Sequence, residues 1–203
     1  MRKEENIMRR NVLITALAAS IVVAGVSLAV PASAQNIPNR WRNADTTHGT
    51  FYLGVSGGPT CNRVDCGLHN GANIIAWQFG QEDQLWWPAS GNGPVEDYYF
   101  NIDNGLSMCL GVAAGSLNAG TPLVIWQCNN ALDQSWKIVS AEAVSAPFPG
   151  CSVFFNNKSG MVMGVSGGNV QNGTKVIQWP LFQGTPGGNA GWHPDQFWCL
   201  QSP

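Results

Sequence analysis

Three copies of the motif Asp-Gln-x-Trp carry the side chains best suited to chemistry in this chain, and they begin at Asp83, Asp133 and Asp195. Each motif places a carboxylate, which accepts hydrogen bonds, beside an amide that both donates and accepts them. The indole that follows has a flat apolar face and one N–H donor. Such a set favours the binding of a polar ligand over the cleavage of a bond.

The sequence offers little support for catalysis or for a metal site. The histidines His48, His69 and His193 are isolated and match no His-Glu-x-x-His spacing. The acid pairs Glu82-Asp83 and Glu96-Asp97 are adjacent in sequence, so on a strand they point to opposite faces. Glycosidase chemistry needs two carboxyl groups that face each other across a substrate. We therefore expect a protein that is not an enzyme and has no cofactor or metal.

Each motif is preceded by two further short sequence patterns, called stations below. Their recurrence indicates a tandem repeat. One ends in Gly-Val, and the other is a glycine six residues before a tryptophan. The Gly-Val stations are Gly54-Val55, Gly111-Val112 and Gly164-Val165, and the other pairs are Gly71 with Trp77, Gly120 with Trp126 and Gly173 with Trp179. Three stations in one order, three times over, predict repeats at about 38–92, 93–146 and 147–203.

The elements that position these residues are predicted to be strands. Short runs of aromatic and β-branched residues are bounded by Gly, Asn, Asp and Pro, which is typical of an all-β fold with many turns. Each copy would have one strand before its Gly-Val station and one at it, one ending at the outer tryptophan, and one at Gln-x-Trp. One copy cannot bury its apolar face alone, so we expect three four-stranded copies around a pseudo-threefold axis.

Residues 1–34 resemble a secretory signal peptide. Basic residues precede an apolar stretch over 12–30, and Ala32-Ser33-Ala34 then supplies small residues for cleavage. A membrane anchor is the alternative, and Arg9-Arg10 also loosely matches a twin-arginine signal; we favour the general secretory route. The mature chain, 35–203, is then one domain, secreted and extracellular, with no membrane insertion after cleavage.

Six cysteines in a secreted chain suggest disulfides, with a zinc site as the less favoured alternative. From their positions within the copies, we expect the bridges Cys61–Cys66, Cys109–Cys128 and Cys151–Cys199.

The charge pattern narrows the class of partner. The chain has 10 Lys+Arg against 12 Asp+Glu, and no basic cluster follows the leader. Because phosphate binding needs clustered basic side chains, nucleic acid and anionic lipid are not expected partners.

The combination of Cys-Leu-x-Val, Gly-x-x-x-x-x-Trp and Gln-x-Trp resembles the ricin-type β-trefoil lectin domain over nearly all of the mature chain. The resemblance implies a β-trefoil in which the glutamine and tryptophan of each Gln-x-Trp belong to the structural core. These residues are Gln84, Trp86, Gln134, Trp136, Gln196 and Trp198. We expect each buried indole N–H to find a backbone carbonyl.

The resemblance also implies where sugar would bind, because similar lectins pair an earlier aromatic residue with the residue before the glutamine. The pairs here are Trp77 with Asp83, Trp126 with Asp133, and Trp179 with Asp195, with Asn130 added in the middle copy. We rank the middle copy first because it has the shortest loops and the disulfide typical of the family, with Asn129 and Asn130 between Trp126 and Asp133. In the third copy, the loop with Trp192 either covers Trp179 or adds a second aromatic plate. The alternative for each outer tryptophan is packing against its own insertion or a neighbouring hairpin.

One departure from the family concerns the acceptor for sugar hydroxyls. Family members that bind galactose have Asp where this chain has Gly54, Gly111 and Gly164, so the usual galactose mode is doubtful in every copy. The expected function is carbohydrate binding without catalysis, with an oligosaccharide or polysaccharide partner such as a cell-surface glycan. One alternative is that the insertions form a new pocket. Another is a protein-binding trefoil, either a protease inhibitor or the cell-attachment subunit of a toxin, and a third is a purely structural or adhesive secreted domain.

Overall fold

The computed structural model describes residues 39–57, 68–80, 82–90, 97–102, 108–184 and 191–201. The predicted leader, 1–34, and the predicted bridge Cys61–Cys66 lie outside these ranges. Within them, no helix combines the length and the hydropathy needed to cross a bilayer.

The described residues form strands where the aromatic and β-branched runs predicted them, four to each copy. The strands are β1 (Arg40–Asn43), β2 (Phe51–Val55), β3 (Ile74–Gln78), β4 (Trp86–Ser90), β5 (Asp97–Ile102), β6 (Met108–Val112), β7 (Leu123–Gln127), β8 (Trp136–Ser140), β9 (Cys151–Asn156), β10 (Val162–Val165), β11 (Thr174–Trp179) and β12 (Trp198–Gln201). A short 3-10 turn precedes β4, β8 and β12, and each turn contains the Asp-Gln of the motif.

The first and last strands of the copies form a closed ring. Antiparallel pairing runs from β1 through β12, β9, β8 and β5 to β4. The ring closes where Asn39 and Trp86 exchange two backbone hydrogen bonds of 2.9 Å. Closure matters because an unpaired strand edge would offer free N–H and C=O groups to other chains.

The middle strands of each copy form the hairpins β2–β3, β6–β7 and β10–β11, which cap the ring. The glycine six residues before each outer tryptophan ties its hairpin to another copy. The N–H groups of Gly71, Gly120 and Gly173 donate to the carbonyls of Ile125, Gln178 and Ala76 at 2.9, 2.8 and 2.9 Å. Each copy is thus bonded to a neighbour in the same way, and the predicted β-trefoil is confirmed.

The tryptophans of Gln-x-Trp lie in the core, as the resemblance implied. Trp86, Trp136 and Trp198 are 0% exposed. Their indole N–H groups donate to the carbonyls of Leu53, Leu110 and Met163 at 2.9, 3.1 and 3.2 Å. Each acceptor directly precedes the glycine of the Gly-Val station, so one bond links the end of a copy to its first hairpin strand.

The glutamines tie down the segment that follows each outer tryptophan. Nε2 of Gln84 donates to Trp77 and Gln78 carbonyls, that of Gln134 to Gln127, and that of Gln196 to Pro180, all at 2.9–3.0 Å. The three glutamines are buried, so these bonds satisfy amide groups that would otherwise be costly to bury.

One pair of equivalent positions is filled in three different ways. In the middle copy the pair is the disulfide Cys109–Cys128. In the first copy it is Tyr52 and Phe79, whose rings meet edge to face with centroids 5.5 Å apart. In the third copy, Leu181 packs against the apolar cluster that contains Val162. The same corner is therefore held by a covalent bond in the middle copy, by an aromatic contact in the first and by packing against an apolar cluster in the third.

The second predicted disulfide in the described residues, Cys151–Cys199, is also present. It joins directly opposed residues of β9 and β12. Around it lies a small apolar cluster that includes Trp192 and Phe197.

The close packing of glutamine on glycine explains why the Gly-Val station needs glycine. A Cβ added at Gly111 would lie 2.9 Å from Cγ of Gln134, and one added at Gly54 would lie 3.2 Å from Cγ of Gln84. Because these glutamines are buried and hydrogen-bonded, they cannot swing away without losing their bonds.

We predict that Gly111→Ala lowers the free energy of unfolding by about 1–3 kcal/mol, the usual cost of overpacking. Gly54→Ala should cost less, because its contact is longer. Urea denaturation of the two variants measures the difference; equal or reversed losses would contradict this steric explanation.

Candidate functional site

The outer tryptophans are partly exposed, and each rests on a glycine of another copy. Trp126 and Trp179 are 47% and 37% exposed, and Trp77 is half-buried. A Cβ added at Gly71, Gly120 or Gly173 would lie 3.7, 3.4 or 3.8 Å from Cζ3 of Trp126, Trp179 or Trp77. These glycines have φ between +80° and +87°, a region that glycine adopts without strain. The cap thus supports one ring edge and leaves part of each indole accessible.

The aspartates are positioned by the turn before the last strand of each copy. Side-chain Nδ2 of Asn156 donates to the Asp133 carbonyl at 2.8 Å, and that of Asn43 donates to the Asp195 carbonyl at 2.9 Å. In both cases the asparagine comes from the following copy, with the first copy following the third. The backbone beneath the carboxylate is therefore held across a boundary between copies.

The aspartate carboxylates lie beside the glycines that replace the family's usual acceptor. A Cβ added at Gly54, Gly111 or Gly164 would lie 3.6, 3.7 or 3.3 Å from Oδ2 of Asp83, Asp133 or Asp195. In the first copy this oxygen also accepts the N–H of Val55 at 3.2 Å. A carboxylate is therefore present next to the vacated position, but it comes from the other end of the copy.

The three carboxylates have different charged neighbours. Lys158 Nζ lies 3.8 Å from Asp133 Oδ1, and His193 Nδ1 lies 3.7 Å from Asp195 Oδ1. Oδ1 of Asp83 is buried and has no hydrogen-bond partner in the described part of the chain. Equivalent aspartates of the three copies therefore lie in different electrostatic surroundings.

A cavity of about 670 Å³ lies in the third copy and brings the predicted pair Trp179 and Asp195 together. Its size falls in the range of small-molecule sites. Phe182, Trp192 and His193 also line it. The rings of Phe182 and His193 are stacked with centroids 4.1 Å apart. The extra loop of the third copy thus builds walls around this cavity.

The loop residue Trp192 is buried and packs edge to face on Phe197, with ring centroids 5.9 Å apart. Trp192 belongs to the apolar cluster around the Cys151–Cys199 disulfide, and it also lines the cavity. In the middle copy, which the sequence ranks first, Trp126 is the most exposed of the three outer tryptophans, and Asn130 is exposed in a left-handed turn with φ 59°.

Sequence reasoning did not place Asp45, Phe182 or His193 at the site. Phe182 follows Trp179 by three residues, and this spacing was the signal available in the sequence. In the structure its N–H donates to Gln196 Oε1 at 2.9 Å. Asp45 belongs to the first copy and lines the third-copy cavity. It reaches there because β1 pairs with β12, which no local pattern reveals.

Among the residues that the structure describes, no group of three or more His, Cys, Asp or Glu side chains is arranged to hold a metal ion.

Two of the carboxyls are harder to ionise than usual. Burial raises the pKa of Asp83 from 3.8 to about 6, although the Val55 N–H acts in the opposite direction. Burial likewise raises the pKa of Asp195 from 3.8 to about 6; the charge of His193 lowers it and that of Asp45 raises it. Both groups therefore lose protons near neutral rather than acidic pH.

These shifts predict that the protein becomes more stable as the pH falls from about 8 to about 5. A folded-state pKa above the unfolded value means that ionisation penalises the folded state, so the penalty exists above pH 6 and fades as protons bind. The expected gain is on the order of 1–2 kcal/mol for each group, after allowing for solvent screening.

Urea denaturation across this pH range, compared with the double variant Asp83→Asn/Asp195→Asn, measures the effect. The free energy of unfolding of the variant should change less with pH than that of the parent protein. An identical pH dependence would refute the raised pKa values of Asp83 and Asp195. The range ends near pH 5 because the Gly150 N–H lowers the pKa of Glu142, which acts in the opposite direction at lower pH.

Comparison with known proteins agrees with this architecture. Several solved structures share the fold. A designed threefold-symmetric protein, ThreeFoil, matches with a TM-score of 0.59 and 19% identity over 81% of this chain and 99% of its own. An exo-β-1,3-galactanase from Clostridium thermocellum matches with 0.59 and 20% over 81% of this chain but only 30% of its own. The Rhizoctonia solani agglutinin matches with 0.57 and 18% over 82% and 95%.

A search of curated protein sequences finds no significant match. A family model, described as ricin-type β-trefoil lectin domain-like, matches residues 82–179, from the first Asp-Gln-x-Trp motif to Trp179. Together with the threefold repeat of the described residues, this match shows that the chain is similar to the ricin-type β-trefoil lectin-like domain.

Proposed function

We propose that this protein binds carbohydrate without catalysis and that the third-copy cavity is its main site. The observation that carries the proposal is that Trp179 and Asp195 line one cavity. A sugar has an apolar face of C–H groups and a rim of hydroxyls. Trp179 offers a surface for the first, and the Asp195 carboxylate accepts hydrogen bonds from the second.

The other two copies contribute weaker sites in this proposal. Each has an accessible indole and a carboxylate positioned by the same turn, but Asp133 is engaged by Lys158. Several weak sites on one rigid trefoil bind a multivalent surface more tightly than any one alone. Oligosaccharides or polysaccharides, including cell-surface glycans, are therefore the proposed partners. The ricin-type lectin-like family match supports this class of ligand.

We predict that Trp179→Ala lowers the affinity for a bound oligosaccharide by about tenfold or more, because an aromatic contact at the centre of a site is worth at least about 1.4 kcal/mol. Trp126→Ala is the matched control, since it removes an indole from the equivalent position and should weaken binding much less. Glycan arrays identify the ligand, and isothermal titration calorimetry then measures the affinity of each variant.

Three outcomes would contradict the proposal. Equal losses in the two variants would move the main site away from the third copy. Blank arrays at high protein concentration, together with stoichiometric inhibition of a protease, would favour the protein-binding alternative. Release of reducing ends from a bound oligosaccharide would show catalysis, for which two carboxyl groups must flank the scissile bond.

We also propose that the protein acts outside the cell after removal of residues 1–34. The two disulfides in the described residues support this location, since such bonds persist in oxidising compartments. Mass spectrometry of the exported protein should find Gln35 as its first residue. A chain retained in the membrane with its leader intact would contradict this location.

A further inference from the structure

The third-copy cavity is acidic and has no basic side chain of the lysine or arginine type among its lining residues. Asp45 and Asp195 both line it, and His193 is the one lining residue that can carry positive charge. Both carboxylates are buried, being 8% and 7% exposed. Their repulsion is part of what opposes ionisation of Asp195.

Among the described residues, the cationic neighbour of the Asp195 carboxylate is His193, which is charged only when it is protonated. His193 Nδ1 lies 3.7 Å from Asp195 Oδ1, which is beyond ordinary hydrogen-bond length. The His193 side chain is 47% exposed, so water screens its charge. A buried carboxylate that is not tightly paired gains more from an incoming cation than from a neutral hydroxyl.

The walls of the cavity suit a cation as well. Trp179, Phe182 and Trp192 all line the same space as the two carboxylates. Aromatic faces attract an ammonium group within about 6 Å of the ring centroid through their quadrupole. The same faces pack against the C–H groups of a sugar ring. A cavity lined by two carboxylates and three aromatic side chains therefore fits a sugar that carries a positive charge.

The middle copy provides an internal contrast. Its aspartate, Asp133, faces Lys158 Nζ at 3.8 Å, and lysine is charged throughout the neutral range. A cationic sugar would have to displace this ammonium or approach it. The same backbone position thus favours a cationic ligand in one copy and opposes it in the other.

We propose that the third-copy cavity selects a hexosamine with a free, protonated amino group over the corresponding neutral or N-acetylated sugar. The amino group would lie beside the Asp195 carboxylate, with the sugar ring against Trp179. This inference rests on the proposed carbohydrate-binding function and specifies the ligand class of its main site.

Isothermal titration calorimetry at about pH 7 tests the proposal with the trimers of glucosamine and of N-acetylglucosamine. At this pH most Asp195 carboxyls are ionised, since burial raises the pKa of Asp195 only to about 6, and the free amino groups of the sugar are protonated in part. The glucosamine trimer should bind about tenfold tighter or more, since a charge-assisted hydrogen bond and a cation–aromatic contact are both lost on acetylation. A trimer of neutral glucose serves as a third ligand.

Three variants localise the preference. Asp195→Asn removes the carboxylate, and His193→Lys places beside it the permanent charge found in the middle copy, so both should abolish the preference for the amine. The His193 side chain is 47% exposed and its ring stacks on Phe182, so urea denaturation of His193→Lys is compared with that of the parent protein to show that the fold is kept. Asp133→Asn removes one negative charge from the equivalent position of the middle copy and should leave the preference intact.

The outcomes separate this inference from the function on which it rests. Binding of all three trimers with similar affinity would overturn the amine selectivity while leaving carbohydrate binding in place. A preference that survives in His193→Lys and Asp195→Asn, or disappears in Asp133→Asn, would also overturn it. Absence of binding to every trimer and to a glycan array would contradict both the carbohydrate-binding function and the preference for an amino sugar.

Discussion

The rest of the structure depends on the buried pairing of glutamine and tryptophan in each Gln-x-Trp. In the middle copy, Trp136 donates its indole N–H to the Leu110 carbonyl at 3.1 Å. Gln134 donates to the Gln127 carbonyl and accepts from the Asn129 N–H, both at 3.0 Å. A buried amide or indole must find such partners, because an unsatisfied polar group in the interior is costly. The hairpin is thereby held at a set distance from the last strand of its copy.

The position of the candidate site is a consequence of that constraint. The aspartate precedes the glutamine in the same turn, and the outer tryptophan directly precedes the segment that the glutamine holds. Once the glutamine is satisfied, both functional side chains are placed. The close approach of Gln134 Cγ to Gly111 also keeps a side chain out of the Gly-Val station. The carboxylate that remains there is that of Asp133, from the other end of the copy.

The scaffold repeats, but its surroundings do not, because the sites lie at the boundaries between copies. Lys158, which faces Asp133 of the second copy, belongs to the third copy. Asp45, which shares a cavity with Asp195 of the third copy, belongs to the first. A single substitution in one copy therefore changes the electrostatics of a site carried by its neighbour. Three sites built on one pattern can therefore differ in ligand through the side chains that neighbouring copies and loops contribute.

By itself, the sequence determined the all-β class, the strand positions, the buried Gln-x-Trp residues and two disulfides within the described residues. These features follow from short-range patterns that recur three times, so the repeat in the sequence is enough to predict them. The ranking of the middle copy rested on its short loops, its disulfide and its two asparagines, whereas the cavity lies in the third copy, where the longer loop contributes Phe182 and His193 to the lining. Only the tertiary structure decided which charges face each aspartate and how deeply it is buried. The physical reason is that Asp45 and Lys158 approach from other copies when the ring closes, and burial belongs to the closed ring as a whole.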